Sequence, residues 1–301
     1  MVEKPQSPTD DLLTIRDLLR YAVSRFNAAG LVYGQGTTRA LDEAAFLILE
    51  TLHLAVDELE PWLDARLTRE ERDRLVALFE QRIATRKPAS YLTSSAYIQG
   101  HRFFVDERVI VPRSYIGELL GGDLAHLIGP PEDVGSVLDL CTGSGCLAIL
   151  AALRYPNATV EAVDISGDAL EVARRNVADY RLEERVRLYR GDLFAPLGRR
   201  RFDLILSNPP YVSAAAMAAL PPEFQAEPAL ALSGGEDGLD LVRRILAGAS
   251  RHLSPTGHLI VEIGTGQEAL AAAYPELPFR WLDSEASEGE VFHLPAAALR
   301  S

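Results

Sequence analysis

The sequence predicts an α/β protein, in which a small helical domain precedes a mostly parallel β-sheet with helices on both faces. Two patterns predict this class. Apolar residues recur every three or four positions up to about residue 86, as in helices. From about residue 114, short apolar strands alternate with helices, and such units build parallel sheets. We predict a helical domain over residues 1–87, a linker over residues 88–112 and a sheet domain over residues 113–301.

Three helices are predicted in the first domain. The first has apolar residues at helical spacing, namely Ile15, Leu18, Leu19 and Ala22. A second helix, over residues 42–54, repeats this spacing through Ala45, Ile48, Leu49 and Leu52. The third begins at Thr68, because Thr68 and Glu71 have the spacing of a capping box.

The linker changes to a period of two. Between residues 97 and 104, successive side chains alternate as they do on the two faces of a strand. This alternation predicts a β-hairpin that joins the two domains.

The sheet domain contains seven apolar segments of strand length. Strands are predicted at residues 137–140, 160–163, 186–189, 202–206, 259–263, 279–282 and 290–294, and helices at residues 147–154, 168–179 and 239–251. Ligands of such sheets bind at the carboxyl ends of the strands, where the strand order reverses. Residues that follow the strands are therefore the candidate site residues.

Composition narrows the partners and the compartment. A net charge of −13 favours a basic partner or a small molecule over nucleic acid. No apolar run approaches the roughly 18 residues of a membrane span, and the start lacks the apolar region of a signal peptide. We expect a cytoplasmic protein with Cys141 and Cys146 reduced. The six histidines are scattered, so no metal site is predicted.

A glycine-containing loop follows the first strand of the sheet domain. Its Gly-x-Gly lacks the third glycine of a dinucleotide fingerprint and the Gly-Lys-Ser/Thr of a P-loop, so it is not built to hold phosphates. Its glycines permit close approach of the backbone to a ligand. The predicted cofactor contacts in this loop are Asp139, Cys141, Thr142, Gly143, Ser144 and Gly145.

Acidic residues follow the next two strands. Asp164 ends the second strand, 25 residues after Asp139, where a carboxylate can accept from both hydroxyls of a ribose. A nucleoside site without a pyrophosphate site suggests S-adenosylmethionine. After the third strand, Asp192 is placed to accept from the adenine amino group, and Leu193 to pack on the ring.

The strongest motif, Asn208-Pro209-Pro210-Tyr211, follows the fourth strand. Consecutive prolines keep the chain extended and rigid, so its carbonyl groups become fixed acceptors. The Asn208 side-chain oxygen and the Pro209 carbonyl can each accept one hydrogen of an NH2 group. The Tyr211 ring offers a flat face for a planar amide or base.

This arrangement suits methyl transfer to nitrogen without a strong base. Two acceptors on an amide NH2 push electron density onto the nitrogen and stabilise the positive charge that develops there. They also align the lone pair with the methyl group. We therefore predict transfer of a methyl group to a planar amide or amine nitrogen, with Asn208, Pro209, Pro210 and Tyr211 as catalytic and substrate-binding residues.

These motifs resemble the protein-glutamine N5-methyltransferases, a family with the Rossmann-like class I methyltransferase fold and a seven-stranded sheet. The resemblance rests on residues 139–145, Asp164 and residues 208–211, and it covers nearly the whole chain. It implies S-adenosyl-L-methionine as cofactor and S-adenosyl-L-homocysteine as product. It also implies that Leu193 and Asn208 contact the cofactor and that the helical domain recognises the substrate protein.

The family has two branches, which methylate a glutamine of peptide chain release factors or of the large-subunit ribosomal protein uL3. Segments similar to the ribosomal branch are residues 31–37, 91–93, 105–109, 112–114, 141–146 and 274–279. The release-factor branch usually has glycine at Cys141 and proline at Ser114. Tyr115 departs from the ribosomal branch, which usually has proline there. The resemblance implies methylation of the ribosomal protein, whose basic character suits the charge of −13.

Other interpretations stay open at this point. Release-factor methylation is one. Adenine N6 methylation of nucleic acid is another, because an exocyclic amine presents the same geometry, but it would need a basic groove for a flipped base. The helical domain carries many acidic residues, so we expect no direct sequence-specific contact with nucleic acid. An inactive scaffold would have lost the loop glycines or Asn208, and both are present. The sequence does not indicate an oligomeric state.

Overall fold

The computed structural model describes residues 8–122, 124–284 and 287–299. The chain forms two compact units. The first, here called the helical unit, comprises Met1–Ser95 together with the short segment Pro221–Ala226. The second, the sheet unit, comprises Ala96–Leu220 and Glu227–Ser301.

The helical unit contains the three predicted helices and one short addition. The helices are α1 Ile15–Ala28, α2 Ala40–Thr51, α3 Arg69–Thr85 and α4 Ala89–Thr93. The capping box at Thr68 and Glu71 is present, and Thr14 and Asp17 form a second one at the start of α1. The four apolar residues that predicted α1 are all buried.

The buried face of α2 differs from the predicted one. Ile48 and Leu49 are buried, but Ala45 and Leu52 are only half-buried, while Ala44 and Leu47 are fully buried. The reason is that α2 packs against α1, α3 and α4, so its buried arc is set by several neighbours. A single apolar stripe in the sequence does not encode that arrangement.

A buried ion pair crosses the helical unit. Arg82 Nε donates to Glu43 Oε1 at 2.7 Å, and both side chains are at most 3% exposed. Thr37 donates its hydroxyl to the other oxygen of Glu43. Burial raises the pKa of Glu43, and the neighbouring Arg82 opposes that rise.

The segment Pro221–Ala226 is held in the helical unit through Glu223. The buried Glu223 carboxylate accepts from the Val32 backbone N–H and from Arg86, each at 3.1 Å. Gln35 donates its side-chain amide to the Glu223 carbonyl at 3.0 Å. Val32 and Gln35 belong to residues 31–37, which the sequence singled out.

The sheet unit begins with the predicted hairpin, in a shorter form. Strands β1 Ala96–Ile98 and β2 His101–Phe103 pair antiparallel. The predicted linker began at residue 88, but Ala89–Thr93 forms α4 in the helical unit. Pro88 precedes this helix with an extended backbone, and the following Ala and Leu are good helix formers.

The remaining elements alternate as the sequence predicts. The strands are β3 Ser136–Leu140, β4 Thr159–Asp164, β5 Val186–Arg190, β6 Phe202–Ser207, β7 Leu253–Glu262, β8 Arg280–Leu282 and β9 Val291–Pro295. The helices are α5 Tyr115–Gly121, α6 Ala125–Ile128, α7 Cys146–Arg154, α8 Gly167–Asp179, α9 Ala214–Ala218, α10 Asp240–His252 and α11 Gln267–Ala273.

The seven strands β3–β9 form one sheet in the order β5-β4-β3-β6-β7-β9-β8. Strands β3 to β7 run parallel to one another, and β9 pairs antiparallel with both β7 and β8, which confirms the mostly parallel sheet. Apolar clusters cover both faces, with α5, α7 and α8 on one face and α10 and α11 on the other. The strand order reverses at β3, whose neighbours are β4 and β6.

Over the described ranges, no helix has both the length and the apolar character needed to cross a bilayer.

Breaking the buried ion pair should strongly destabilise the helical unit. Arg82→Ala leaves the Glu43 carboxylate buried without its cation, which costs about 3–5 kcal/mol of unfolding free energy. Urea unfolding followed by Trp62 fluorescence, in a Trp281→Phe background, measures this loss. The matched control is Arg16→Ala, because the Arg16–Asp64 pair is 58% and 84% exposed, so water screens it and its loss should change stability much less. Equal losses in the two variants would contradict the prediction.

Candidate active site

The cofactor loop and the nitrogen motif start from adjacent positions on neighbouring strands. Leu140, at the end of β3, is in register with Ser207, at the end of β6. Ser207 also donates its hydroxyl to the Leu140 carbonyl at 2.9 Å. On the other side of β3, the Thr142 backbone N–H donates to the Val163 carbonyl of β4. The ends of three strands therefore converge on one crevice.

The buried Asp139 side chain holds the loop after β3 through hydrogen bonds. This side chain is fully buried and accepts from the Thr142 hydroxyl at 2.5 Å and from the Ala148 backbone N–H at 3.1 Å. Burial raises the pKa of Asp139 to about 7, against the lowering effect of both hydrogen bonds. Its second oxygen is buried and has no protein partner among the described residues.

Three residues of the loop have left-handed backbone conformations, with φ of 60° at Cys141, 54° at Gly143 and 80° at Gly145. Glycine is favoured at 145, because its φ is positive and a Cβ there would lie only 3.2 Å from the Cβ of Ala173. A Cβ at Gly143 would meet no atom within 4 Å, so its backbone faces open space. Cys141 adopts the conformation without being glycine, which stores strain of about 1–3 kcal/mol.

A cavity of about 430 Å³ opens between these strand ends. The predicted site residues that line it are Cys141, Gly143, Asp164, Asp192, Leu193, Asn208 and Pro210. The other predicted residues, Asp139, Thr142, Ser144, Gly145, Pro209 and Tyr211, do not line it. Those in the loop support its shape, and a direct contact from them stays a prediction.

Asp164 reaches both the loop and the cavity. Its two oxygens accept from the backbone N–H groups of Gly143 at 2.9 Å and Ser166 at 2.8 Å. Burial raises its pKa, although these hydrogen bonds oppose the rise. Each carboxylate oxygen has a further lone pair for a ligand hydroxyl.

After β5, Asp192 has a protein partner in addition to the adenine contact that the sequence predicts. Asp192 forms an ion pair with Arg244 at 2.7 Å, on a partly exposed surface of the cavity wall. Leu193 is buried and has a φ of 49°. Any contact of Asp192 with an adenine would therefore share the carboxylate with Arg244, which the sequence did not indicate.

Among the described residues, the two predicted acceptors of the nitrogen motif have no protein donor. Asn208 is half-buried and lines the cavity, whereas Pro209 is buried. In the part of the chain that the structure describes, no residue donates a hydrogen bond to the Asn208 side chain or to the Pro209 carbonyl. The acceptor role of both oxygens toward a ligand stays a prediction.

Three glycines that sequence reasoning missed enclose Tyr211. A Cβ at Gly234 would lie 2.7 Å from Tyr211 Cα, and one at Gly238 would lie 2.3 Å from the Tyr211 carbonyl oxygen. A Cβ at Gly264, whose φ is 54°, would lie 2.8 Å from two ring carbons of Tyr211. The signal for Gly234 and Gly238 was the glycine-rich run of residues 233–238, close behind the motif in the sequence.

Two buried glutamates, also missed, fasten residues 111–115 to the site. Glu227 accepts from the Val111 backbone N–H and forms two hydrogen bonds with the Arg113 guanidinium. Glu262, the last residue of β7, accepts from the Ser114 hydroxyl and the Tyr115 backbone N–H. Burial raises the pKa of Glu262 to about 7.

The departure at Tyr115 has a local explanation. Tyr115 is the first residue of α5, where proline is well tolerated because its missing N–H has no partner within the helix. In this chain the Tyr115 N–H donates to Glu262 instead, at 3.0 Å. The site therefore gains one hydrogen bond that proline could not make.

Replacing Asp139 should change how stability depends on pH. Because its pKa is raised to about 7, Asp139 binds a proton more tightly in the folded state than in the unfolded state. Protonated Asp139 therefore stabilises the fold at low pH, and this stabilisation is lost as the pH rises from about 4 to 7. Asp139→Asn removes it. Relative to the original chain, the variant should gain up to about 1.4 kcal/mol for each pH unit. Urea unfolding at four pH values measures the slope, and parallel curves would contradict the prediction.

The chain is similar to known methyltransferases. The family model of the methyltransferase small domain matches residues 124–227. The chain is 60% identical over 295 residues to the ribosomal protein uL3 glutamine methyltransferase of Bradyrhizobium diazoefficiens, covering 96% of this chain and 92% of that one. It is 54% identical to the protein of the same name from Burkholderia pseudomallei, covering 97% of each.

Solved structures show the same fold. The catalytic domain of hMettl16, solved in complex with the MAT2A 3′UTR hairpin 6, superposes with a TM-score of 0.50 at 13% identity. It covers 74% of this chain and 81% of its own. Similarity at this level supports the α/β methyltransferase fold alone. The identity to the two bacterial relatives over nearly their full lengths shows more: the chain is a methyltransferase that belongs to the ribosomal protein uL3 glutamine methyltransferase family.

Proposed function

We propose that the chain transfers a methyl group from S-adenosyl-L-methionine to the N5 side-chain amide of a glutamine in ribosomal protein uL3. The observation that carries this proposal is the position of Asn208, which has no protein donor on its side chain among the described residues and lines the same cavity as Asp164. The relatives named for this activity supply the identity of the protein substrate.

The cavity suits the cofactor in size and in chemistry. Its volume of about 430 Å³ lies in the usual range for small-molecule sites, roughly 300–1,000 Å³. Asp164 would accept from the ribose hydroxyls, and Leu193 would pack against the adenine. The open backbone at Gly143 leaves room for close approach of the ligand. When bound, S-adenosyl-L-methionine supplies an electrophilic methyl group on a positively charged sulfur.

The residues of the motif orient the nitrogen that attacks this methyl group. The Asn208 side-chain oxygen and the Pro209 carbonyl hold the two amide hydrogens, and the Tyr211 ring supports the amide plane. The nitrogen would take its methyl group from the bound cofactor, which would leave as S-adenosyl-L-homocysteine. The nitrogen then loses one proton to water. Rigid acceptors contribute most where charge develops.

The remaining expectations follow from the same proposal. The helical domain predicted over residues 1–87 would recognise uL3, and the protein would act in the cytoplasm. A chain of charge −13 suits a basic ribosomal protein.

A methyl-transfer assay with radiolabelled cofactor tests the substrate. It offers uL3, a peptide chain release factor and an adenine-containing DNA duplex side by side, and mass spectrometry maps the label. Label on one glutamine of uL3 is expected. Label on the release factor alone would refute the ribosomal substrate, and label on DNA would refute protein methylation.

Substitutions at Asn208 and Asp164 should separate catalysis from cofactor binding. Asn208→Ala should lower kcat by roughly a hundredfold with little change in cofactor Kd, because Asn208 acts mainly in the transition state. Asp164→Ala should instead weaken cofactor binding first, as measured by calorimetry. An unchanged Kd in Asp164→Ala, or equal losses of Kd and kcat in Asn208→Ala, would contradict these roles.

Gly264 should be essential for turnover through its contact with Tyr211. Gly264→Ala combines a strained φ of 54° with a contact 2.8 Å from the ring, so kcat should fall by roughly tenfold or more while cofactor Kd stays within about threefold. Gly198→Ala is the matched control, because Gly198 has a φ of 62° and no atom within 4 Å of its added Cβ. Similar kcat values in the two variants would show that backbone strain alone explains the loss.

A further inference from the structure

Glu262 is a buried carboxylate that fold stability alone does not explain. It ends β7 with no exposed surface, and it accepts hydrogen bonds from hydroxyl and backbone N–H groups. A carboxylate removed from water without a cation costs free energy that neutral donors offset only in part. Because burying the Glu262 carboxylate costs free energy, we expect this side chain to have a role at the site.

The two oxygens of Glu262 have different partners. Oε2 accepts from the Ser114 hydroxyl at 2.7 Å and from the Tyr115 backbone N–H at 3.0 Å. Oε1 accepts from the Tyr211 hydroxyl at 3.3 Å. One oxygen therefore anchors the carboxylate to the start of α5, and the other reaches the nitrogen motif.

Tyr211 is consequently held at two points. Gly264 leaves no room beyond the ring edge, since an added Cβ would lie 2.8 Å from ring carbons. Glu262 holds the hydroxyl at the far end of the same ring. Two such restraints select one rotamer and one ring plane, which is how a supporting side chain fixes a group that contacts substrate.

We propose that Glu262 is a positioning residue for Tyr211, which sets the ring plane against which the substrate amide lies, and that Ser114 and Tyr115 hold Glu262 in place. This proposal rests on the proposed function, because it assumes that Tyr211 supports the amide. It gives a role to Ser114, where the release-factor branch usually has proline, and to the Tyr115 N–H, which proline lacks.

A double-mutant cycle on kcat tests the proposal. In Glu262→Gln, the amide oxygen can still accept from Ser114 and Tyr115, but the NH2 group faces Tyr211 and cannot accept its hydroxyl hydrogen. We expect kcat to fall by roughly tenfold or more with cofactor Kd unchanged. Tyr211→Phe should lower kcat similarly, and the double variant should be no worse than Tyr211→Phe. Multiplying effects would overturn the proposal.

Two further variants calibrate the cycle. Ser114→Ala removes one of the two anchors of Glu262, so its loss of kcat should be smaller than that of Glu262→Gln. Glu161→Gln is the matched control, because Glu161 is a buried carboxylate of the same sheet that pairs with Arg200. It should lower stability without changing kcat. A loss of kcat in Glu161→Gln as large as in Glu262→Gln would mean that the effect is general.

A second readout needs no substrate and so separates this proposal from the proposed function. In protein labelled with ¹³C at the Cζ of its ten tyrosines, Tyr211→Phe identifies the Tyr211 resonance. Glu262→Gln should shift this resonance, because the phenol changes from donor to acceptor, and Glu161→Gln should not. An unshifted resonance would refute the positioning role. Absence of label on uL3 with the original chain would instead refute the proposed function.

Discussion

The site depends on one register, that between the carboxyl ends of β3 and β6. Leu140 and Ser207 lie side by side, and the Ser207 hydroxyl ties the two strands together at that point. The residues directly after β3 form the cofactor loop, and those directly after β6 form the nitrogen motif. Because a slip of one residue would reverse the face of every side chain on a strand, this pairing fixes the distance between the two motifs.

Buried and half-buried carboxylates support this edge of the sheet from several strands. Asp139 lies under the loop after β3, Asp164 under the cavity at the end of β4, and Glu262 behind the nitrogen motif at the end of β7. Each is held by N–H or O–H donors rather than by a buried cation. At a pH above their raised pKa values, these acids make the local potential negative, which favours a positively charged ligand in a poorly solvated crevice.

The strands, the loop after β3 and the motif after β6 could be predicted from the sequence, because each is a local pattern of residues. The enclosure of Tyr211 could not, since Gly234, Gly238 and Gly264 approach it only after folding. Glu262 was equally hidden, because its partners Ser114 and Tyr115 are almost 150 residues away in the sequence. The helix at Ala89–Thr93 and the buried face of α2 depend likewise on non-local packing.

The place of Pro221–Ala226 affects how the chain can be divided. This segment follows the nitrogen motif in sequence, yet it belongs to the helical unit, where Glu223 is buried against Val32, Gln35 and Arg86. No single cut therefore separates the two units. A fragment that starts at residue 96 would carry Glu223 without any of these partners. During synthesis, the helical unit therefore lacks its last segment until residues 221–226 have followed the nitrogen motif out of the ribosome.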